Sequence, residues 1–385
     1  MSSDHRQRRI RLGMVGGGQG AFIGEVHRMA ARLDGEYELV AGALSSDPER
    51  ALASARELGI ADDRSYADFE SMARLESERD DGIDAVAVVT PNHLHYPVAR
   101  AFLAAGIHVI CDKPMTVTSD ESRELIAAAE TADRILAVTY NYSGYPMIRQ
   151  ARSMVADGEL GRIRLVQAEY VQDWLADAVE ATGNRQASWR TDPARAGAGG
   201  CIGDIGTHAY HLACFVTGLE LEALAADLAT FVEGRQLDDN AALLLRFRGG
   251  AKGMLWASQV AIGNQNNLSI RIYGDKGGLS WRQETPNELW FTPLGEDPRK
   301  ITRGGSSAGP AAERVTRIPG GHPEGYLEAF AGIYTEVARA IRAHDAGEAL
   351  DSHVLFPAGV DGLHGVEFVE AAVKSSRNGA SWVEV

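Results

Sequence analysis

The sequence predicts an α/β protein: an N-terminal doubly wound parallel sheet, then an α+β domain with a large open, mostly antiparallel sheet. Three observations carry this expectation. Over the first 140 residues, short apolar runs alternate with helix-period segments, as parallel strands covered on both faces require. A glycine cluster follows directly on the first of those runs. Beyond residue 141, strand-like segments succeed one another with hairpin glycines between them. A chain of 385 residues is also too long for one ordinary core, so two domains are expected, 1–140 and 141–385.

In the first part, strands are expected at 10–15, 37–44, 85–89, 107–111 and 135–139. Asp47-Pro48-Glu49 has the cap and first-turn chemistry of a helix start. Helical patterns run over 96–105, ending at Gly106, and over 119–131, where Asp120 and Glu121 suit the positive end of the dipole. In the second part a helix over 146–156 is stopped by Gly158. Strands follow at 163–170, 224–232, 241–247, 253–260 and 268–273, with Gly249-Gly250, Gly274 and Gly277-Gly278 as punctuation. A helix starting near 193 or 206 and ending at 215 interrupts them. The small, polar stretch 304–312 reads as a mobile loop. Two helices, 323–343 and 357–375, precede a last strand at 382–383, and no internal repeat is present.

Composition excludes several classes. A net charge of −15 repels nucleic acid and anionic membrane surfaces, although a local basic pocket can still hold an anion. No run approaches the ~20 apolar residues of a membrane span. The polar stretch 1–9 is not followed by a long apolar segment, so no signal peptide is expected. The three cysteines, Cys111, Cys201 and Cys214, form no CxxC pair, which suits free thiols in a reducing cytoplasm. No metal is expected. His208 with His211, or His93 with His95, lacks the HExxH or clustered-cysteine context of a metal site.

Gly16, Gly18 and Ala21 fit G-x-G-x-x-G/A between a strand and a helical stretch. Such glycines let the backbone approach a pyrophosphate at a helix N-terminus. Gln19, Gly20, Phe22 and Ile23 belong to the same candidate cofactor site. The second strand lacks the usual terminal acid that holds the adenosine ribose. Ser45, Ser46 and Arg50 could accept a 2′-phosphate, Asp47 could reach the ribose, or Asp47 could simply cap the helix beside a solvated Arg50. NAD and NADP both stay open.

Ligands of such sheets lie beyond the carboxyl ends of the strands. There the sequence places Thr90-Pro91-Asn92 with His93 and His95, then Asp112-Lys113-Pro114, then Tyr140-Asn141-Tyr142. Lys113, between an apolar strand and Pro114, should present its ammonium to the cleft. Further on, Asp204 and His208 lie four apart within Gly199-Gly200-Cys201-Ile202-Gly203-Asp204-Ile205-Gly206-Thr207-His208. If Asp204 opens a helix, the two share one face and suit general acid/base work. An N-cap aspartate beside a structural histidine explains the same residues.

Taken together, the glycine loop, Thr90-Pro91-Asn92 with His95, Asp112-Lys113-Pro114 and the Asp204–His208 segment resemble the glucose–fructose oxidoreductase/inositol dehydrogenase/MocA (Gfo/Idh/MocA) family. Asp361-Gly362-Leu363 leading to Val369-Glu370-Ala371 and Ser375-Ser376 resembles its last helix. The resemblance covers nearly the whole chain. It implies a Rossmann domain that binds NAD or NADP over 1–140. It also implies a substrate and oligomerisation domain over 141–385, and a homodimer or homotetramer through the open sheet. Lys113 matches the family lysine that contacts the reacting hydroxyl and the nicotinamide region. Asp204 and His208 match the pair that binds substrate and moves its proton, and Asn92, His95 and Asp112 match positions near the cofactor. The chain departs from the pattern in three places. Asp112 stands where the family has glutamate, and His211 stands where an acid is often found. The glycine loop is also longer than the pattern by about three residues, so that Gly24 can be the third glycine.

The expected chemistry is oxidation of a secondary hydroxyl of a sugar, glycoside or cyclitol. His208 takes the hydroxyl proton, Lys113 stabilises the alkoxide, and Asp204 orients the substrate. Tyr142, Trp174, Trp189, Arg190 and His322 are candidates for the pocket wall, since tryptophan faces stack on sugar CH surfaces and Arg190 can hold an anionic substituent. Two rivals remain: an NADPH-dependent keto-sugar reductase, suggested by Ser45 and Arg50, and a nucleotide-sensing protein, which has no need of Lys113, Asp204 and His208 together.

Overall fold

The computed structural model describes residues 8–385; the first seven residues of the polar N-terminus lie outside the described residues. The first sheet holds β1 (Ile10–Gly16), β2 (Tyr37–Ala43), β3 (Ala85–Val89), β4 (His108–Cys111) and β5 (Leu136–Val138). All are parallel, in the order β2-β1-β3-β4-β5. Every residue of β3 and β4 is buried, which is why these strands are apolar on both faces rather than alternating.

The helices of this part are α1 (Phe22–Leu33), α2 (Pro48–Glu57), α3 (Phe69–Ser77), α4 (His95–Ala104) and α5 (Ser119–Ala132). One face of the sheet packs Val98, Phe102 and Leu103 of α4 and Leu125 of α5 against Val86, Val88 and Val109. Strand order reverses between β1 and β3, so their carboxyl ends border the crevice where such sheets bind ligands.

The remaining elements are α6 (Pro146–Ala156), β6 (Ile163–Val171), α7 (Arg185–Arg190), α8 (Pro193–Ala196), α9 (Thr207–Thr217), β7 (Leu221–Ala229), β8 (Asn240–Phe247), β9 (Lys252–Ser258), β10 (Asn267–Gly274), β11 (Gly277–Arg282), β12 (Glu288–Pro293), β13 (Arg299–Thr302), α10 (Pro310–Glu313), α11 (Tyr326–Asp345), α12 (Gly359–Arg377) and β14 (Val383–Glu384). The second sheet runs β13-β12-β11-β10-β6-β9-β8-β7-β14 and is antiparallel except between β6 and β9. One face is buried against α6 and α9. The other leaves Leu165, Leu244, Met254, Trp256, Tyr273 and Trp290 exposed. α11 lies far along the chain yet completes the first sheet, packing Phe330, Ile333 and Val337 among Leu12, Val26 and Ala30.

Several expectations change. Strands β11, β12 and β13 were not expected, because Gly277-Gly278 reads as a turn. In fact a Cβ on Gly277 would come within 2.9 Å of the Thr292 carbonyl, so glycine there allows two strands to approach. β13 is a short, charged edge strand with only Ile301 buried, which blunts its apolar signal. The stretch 304–312 is not simply a mobile loop: it ends in α10, where Ala312 is fully buried and Gly309 donates its N–H to Gln150 Oε1 at 2.7 Å. The strand expected at 224–232 lies at Leu221–Ala229, and the last strand is Val383–Glu384 rather than 382–383. Among the described residues no helix is long and apolar enough to cross a membrane.

Candidate active site

The crevice is built first by glycines. A Cβ on Gly16 would stand 2.8 Å from the Val89 carbonyl oxygen, and one on Gly18 2.6 Å from that of Leu44, so neither position tolerates a side chain without movement. Gly24 faces Gly17, where an added Cβ would fall 2.3 Å from the Gly17 Cα. Close helix–strand packing is therefore the work of Gly24. Ala21 is the extended N-cap of α1 and supplies no side-chain cap bond. The first amides of α1, including those of Phe22 and Ile23, have no intrahelical acceptor, as at any helix start. A cradle that a Cβ would fill, next to a helix N-terminus, fits a dinucleotide pyrophosphate. Gly20 has open space at its Cβ position and a positive φ of 79°. Gln19 donates its backbone N–H to Ser54 Oγ at 3.1 Å and its side-chain amide to Glu57 at 2.9 Å, which fixes the loop to α2.

At the end of β2, Asp47 caps α2. Asp47 Oδ1 accepts the Arg50 N–H at 3.0 Å, and Ser45 Oγ accepts the Asp47 N–H at 3.1 Å. Ser46, Asp47 and Arg50 are exposed. Beyond β3, Thr90 and Pro91 lead into Asn92, whose Nδ2 donates to the Ala196 carbonyl at 3.0 Å and so ties the two halves of the cleft. His95 is buried, its ring between the carbonyls of Pro114 (2.7 Å from Nδ1) and Thr90 (2.8 Å from Nε2). It therefore clamps two strand-end loops together.

Asp112 Oδ1 accepts from the Lys113 N–H and from Thr139 Oγ1, each at 2.9 Å. Burial works against its charge, but His27 and Lys113 outweigh it and hold the carboxyl below its usual range. The Lys113–Pro114 peptide is cis. Lys113 does reach the cleft: Nζ donates to the Asp204 carbonyl at 2.6 Å and to Asp204 Oδ1 at 3.0 Å. Asp204 Oδ2 accepts from Gln259 Nε2 at 2.9 Å and lies 3.3 Å from Arg190 Nε. Burial would raise the Asp204 carboxyl; Lys113 and Arg190 overcome that and keep it ionised well below the usual range.

Asp204 does not open a helix. It sits inside a wide π-helical turn, Ile202–Gly206, that runs straight into α9. His208 follows on α9, among the rings of Tyr142 (4.9 Å), Tyr140 (5.7 Å) and Tyr170 (6.1 Å). Its Nδ1 is buried with no hydrogen-bond partner. Burial, then the Lys113 ammonium, push its pKa well below the ordinary value, so the imidazole is neutral at neutral pH. His211, where an acid is often found, stacks on Tyr140 at 4.2 Å, and burial lowers its pKa to about 4.

The wall candidates divide. Tyr142 packs on His208, and its hydroxyl meets that of Tyr170 at 2.5 Å. Arg190 stands over the Trp189 ring at 4.2 Å and reaches Asp204. Trp174 is half-buried in the loop after β6. His322 is exposed, and its described contacts are with Pro319 and, through its carbonyl, Arg303 rather than with Lys113, Asp204 or His208. Tyr326, the first residue of α11, stands 6.2 Å from the Tyr142 ring instead. Gln259, Tyr170 and Asn266, which accepts from Tyr170 at 2.7 Å, were not singled out from sequence. Nothing in their spacing marks them, since each lies in or beside an ordinary strand.

Among the described residues, His108, His344 and Asp345 are near enough to suggest a metal site. His108 Nδ1 accepts the Ile135 N–H at 2.9 Å, so its neutral ring carries the proton on Nε2, the atom facing Asp345 at 3.4 Å. That tautomer makes it a donor to the carboxylate rather than a ligand.

Comparison with known proteins shows the family. Residues 10–140 match the model of an oxidoreductase family with an NAD-binding Rossmann fold, and residues 148–280 match the GFO/IDH/MocA C-terminal domain. A crystal structure of an oxidoreductase from Sinorhizobium meliloti is 56% identical, with TM-score 0.90, covering 98% of this chain and 100% of that one. An inositol dehydrogenase homolog from Azotobacter vinelandii, complexed with NADH and myo-inositol, is 38% identical with TM-score 0.93, covering 98% of each chain. Levoglucosan dehydrogenase of Pseudarthrobacter phenanthrenivorans is 29% identical over 98% of each chain.

Proposed function

The chain belongs to the GFO/IDH/MocA family of NAD-binding oxidoreductases, and on that premise we propose that it oxidises a secondary hydroxyl of a sugar, glycoside or inositol to a ketone. The observation that carries this reading is the half-buried Lys113–Asp204 pair beside a neutral His208, at the carboxyl end of the first sheet. Bound NAD supplies the hydride acceptor. Gly16, Gly18, Gly24 and the N-terminus of α1 are the residues that would hold its pyrophosphate.

His208 takes the hydroxyl proton, which its neutral ring is able to do. The Lys113 ammonium donates to the substrate oxygen and stabilises the charge that develops there. Asp204, kept ionised by Lys113 and Arg190, orients the substrate and holds Lys113 in place. Tyr142, Tyr170 and Asn266 supply polar atoms for neighbouring hydroxyls, while Trp174 and Trp189 offer ring faces. NAD is favoured over NADP because relatives of this chain, such as the inositol dehydrogenase homolog of Azotobacter vinelandii, are complexed with NAD+ or NADH. Residues 1–140 serve the nucleotide and 141–385 the substrate, with α11 returning to the first core.

The test is absorbance at the reduced-nicotinamide band with myo-inositol, levoglucosan and a panel of free sugars and glycosides, each with NAD and NADP. Growth of the band with one polyol and NAD is the expected result. Silence in every pairing, and in the reverse assay with keto-sugars, would overturn the reading.

We also assign a homo-oligomer to the exposed apolar face formed by Leu244, Met254 and Trp256. Met254→Asp should reduce the mass seen by sedimentation to that of the single chain. An unchanged mass would exclude this face.

A further inference from the structure

The segment that carries Asp204 and His208 begins without a cap of its own. Cys201 precedes the π-helical turn with no side-chain cap bond, and Gly199, Gly200, Gly203 and Gly206 give this stretch little intrinsic preference for one conformation. Its first amides are satisfied from elsewhere in the chain. Asp238 Oδ1 accepts the Gly200 N–H at 2.6 Å, its Oδ2 accepts the Ile202 N–H at 2.8 Å, and its carbonyl accepts the Cys201 N–H at 2.8 Å. Three successive amides of one turn thus end on one residue. The approach is close enough that a Cβ on Gly200 would fall 2.3 Å from the Asp238 carbonyl oxygen.

The next residue continues the arrangement. Asp239 offers its carbonyl to the Gln259 N–H at 2.9 Å, and Gln259 Nε2 donates to Asp204 Oδ2 at 2.9 Å. Asp239 is itself held by Arg235 at 3.1 Å and by the N–H groups of Phe231 and Val232. One dipeptide therefore fixes Asp204 from two directions, through the turn that bears it and through the side chain that binds it. Asp238 is 9% exposed and has no cationic partner among its described contacts. Burial pushes its carboxyl up to about 6, against the pull of the two amides. A carboxylate kept in such a place at a cost of burial serves the amides that it binds.

We propose that Asp238 is a positioning residue of the active site, setting the register of the Ile202–Gly206 turn so that Asp204 and His208 face Lys113. The proposal rests on the catalytic reading of those three residues. Displacing reacting groups by about 1 Å costs on the order of 100-fold in rate, so a small slip of the turn is enough to matter.

The test compares the full-length wild type with Asp238→Asn, which keeps one acceptor oxygen and turns an NH2 group toward the other amide. Three quantities are read: kcat and KM with NAD and the best polyol of the panel, NADH binding by fluorescence, and backbone hydrogen exchange of the peptide 199–208. The expected result is a fall in kcat of roughly 10–100-fold, NADH affinity within about two-fold of wild type, and faster exchange confined to 199–208. Unchanged kcat and exchange would overturn the proposal. So would loss of NADH binding together with faster exchange throughout the chain, which marks a merely structural role. If the wild type turns over no polyol, the catalytic reading fails by itself, and the exchange arm still decides whether Asp238 holds this turn.

Discussion

Lys113→Ala is expected to lower kcat by roughly 10²–10⁴-fold while NADH still binds. The argument starts from what Nζ touches: the Asp204 carbonyl at 2.6 Å and Asp204 Oδ1 at 3.0 Å. Neither atom belongs to the glycine loop or to α1, so removing the ammonium leaves the pyrophosphate cradle intact. At the reacting centre, two things are lost together. The donor to the substrate oxygen disappears, and the Asp204 carboxylate is left with Gln259 and Arg190 as its remaining partners. A half-buried carboxylate deprived of its nearest cation binds a proton more readily and orients its ligands less firmly. Lys113→Arg should not restore the rate, because a planar guanidinium cannot occupy the place of a compact ammonium between one carbonyl and one carboxylate oxygen. The check is steady-state turnover beside a fluorescence titration with NADH. Retained turnover would remove Lys113 from the mechanism. Loss of NADH binding would place it in the cofactor site instead.

How much of this site was legible depended on whether a residue's role is local. Gly16 and Gly18 announce themselves because a backbone that must approach a phosphate forbids side chains at fixed places after a strand. Gly24 was harder, since the lengthened loop offers Ala21 in the expected register; only the 2.3 Å approach to Gly17 decides between them. Lys113 was legible from its place between a buried strand and a proline. The Asp204–His208 spacing suggested a shared helical face, yet the two are joined through a π-helical turn, and nothing in a run of glycines distinguishes that from an ordinary helix start. Gln259 and Asp238 were invisible because their importance comes from partners 36 to 55 residues away, a relation that no local pattern encodes. The same reason hid α11 as part of the first core. Its apolar stripe shows that it packs, and not against which sheet. His322 is a case of the opposite kind. A histidine before a helix reads as a reaching group, but Arg303 binds the carbonyls of this loop, and the aromatic residue that approaches Tyr142 is Tyr326.

His208→Asn should lower kcat/KM by roughly 10²–10⁴-fold and also erase the acid limb of its pH profile. In the wild type that limb should lie below the ordinary histidine range of about 6.5. The sign follows from the environment of the ring. Burial, the Lys113 ammonium and, least, His211 disfavour the imidazolium, and Asp204 and Asp112 only partly offset them. A base with a lowered pKa stays unprotonated to lower pH, so activity is flat through neutrality and falls only as pH drops through the depressed value. Lys113→Ala removes the largest charge-based depressing cause, so the residual activity of that variant should show its acid limb displaced toward neutral pH. Asp204→Asn removes a supporting negative charge and should move the limb the other way. Asp238, whose carboxyl is raised to about 6, is the group most able to imitate such a limb, and it remains present in His208→Asn. A limb near 6 that survives His208→Asn belongs to Asp238 rather than to the imidazole, whose own limb lies below the ordinary histidine range; a profile unchanged at every pH would remove His208 from the role of base. A limb that vanishes in His208→Asn and shifts in opposite directions in the Lys113 and Asp204 variants ties the proton to His208 through the charges that surround it.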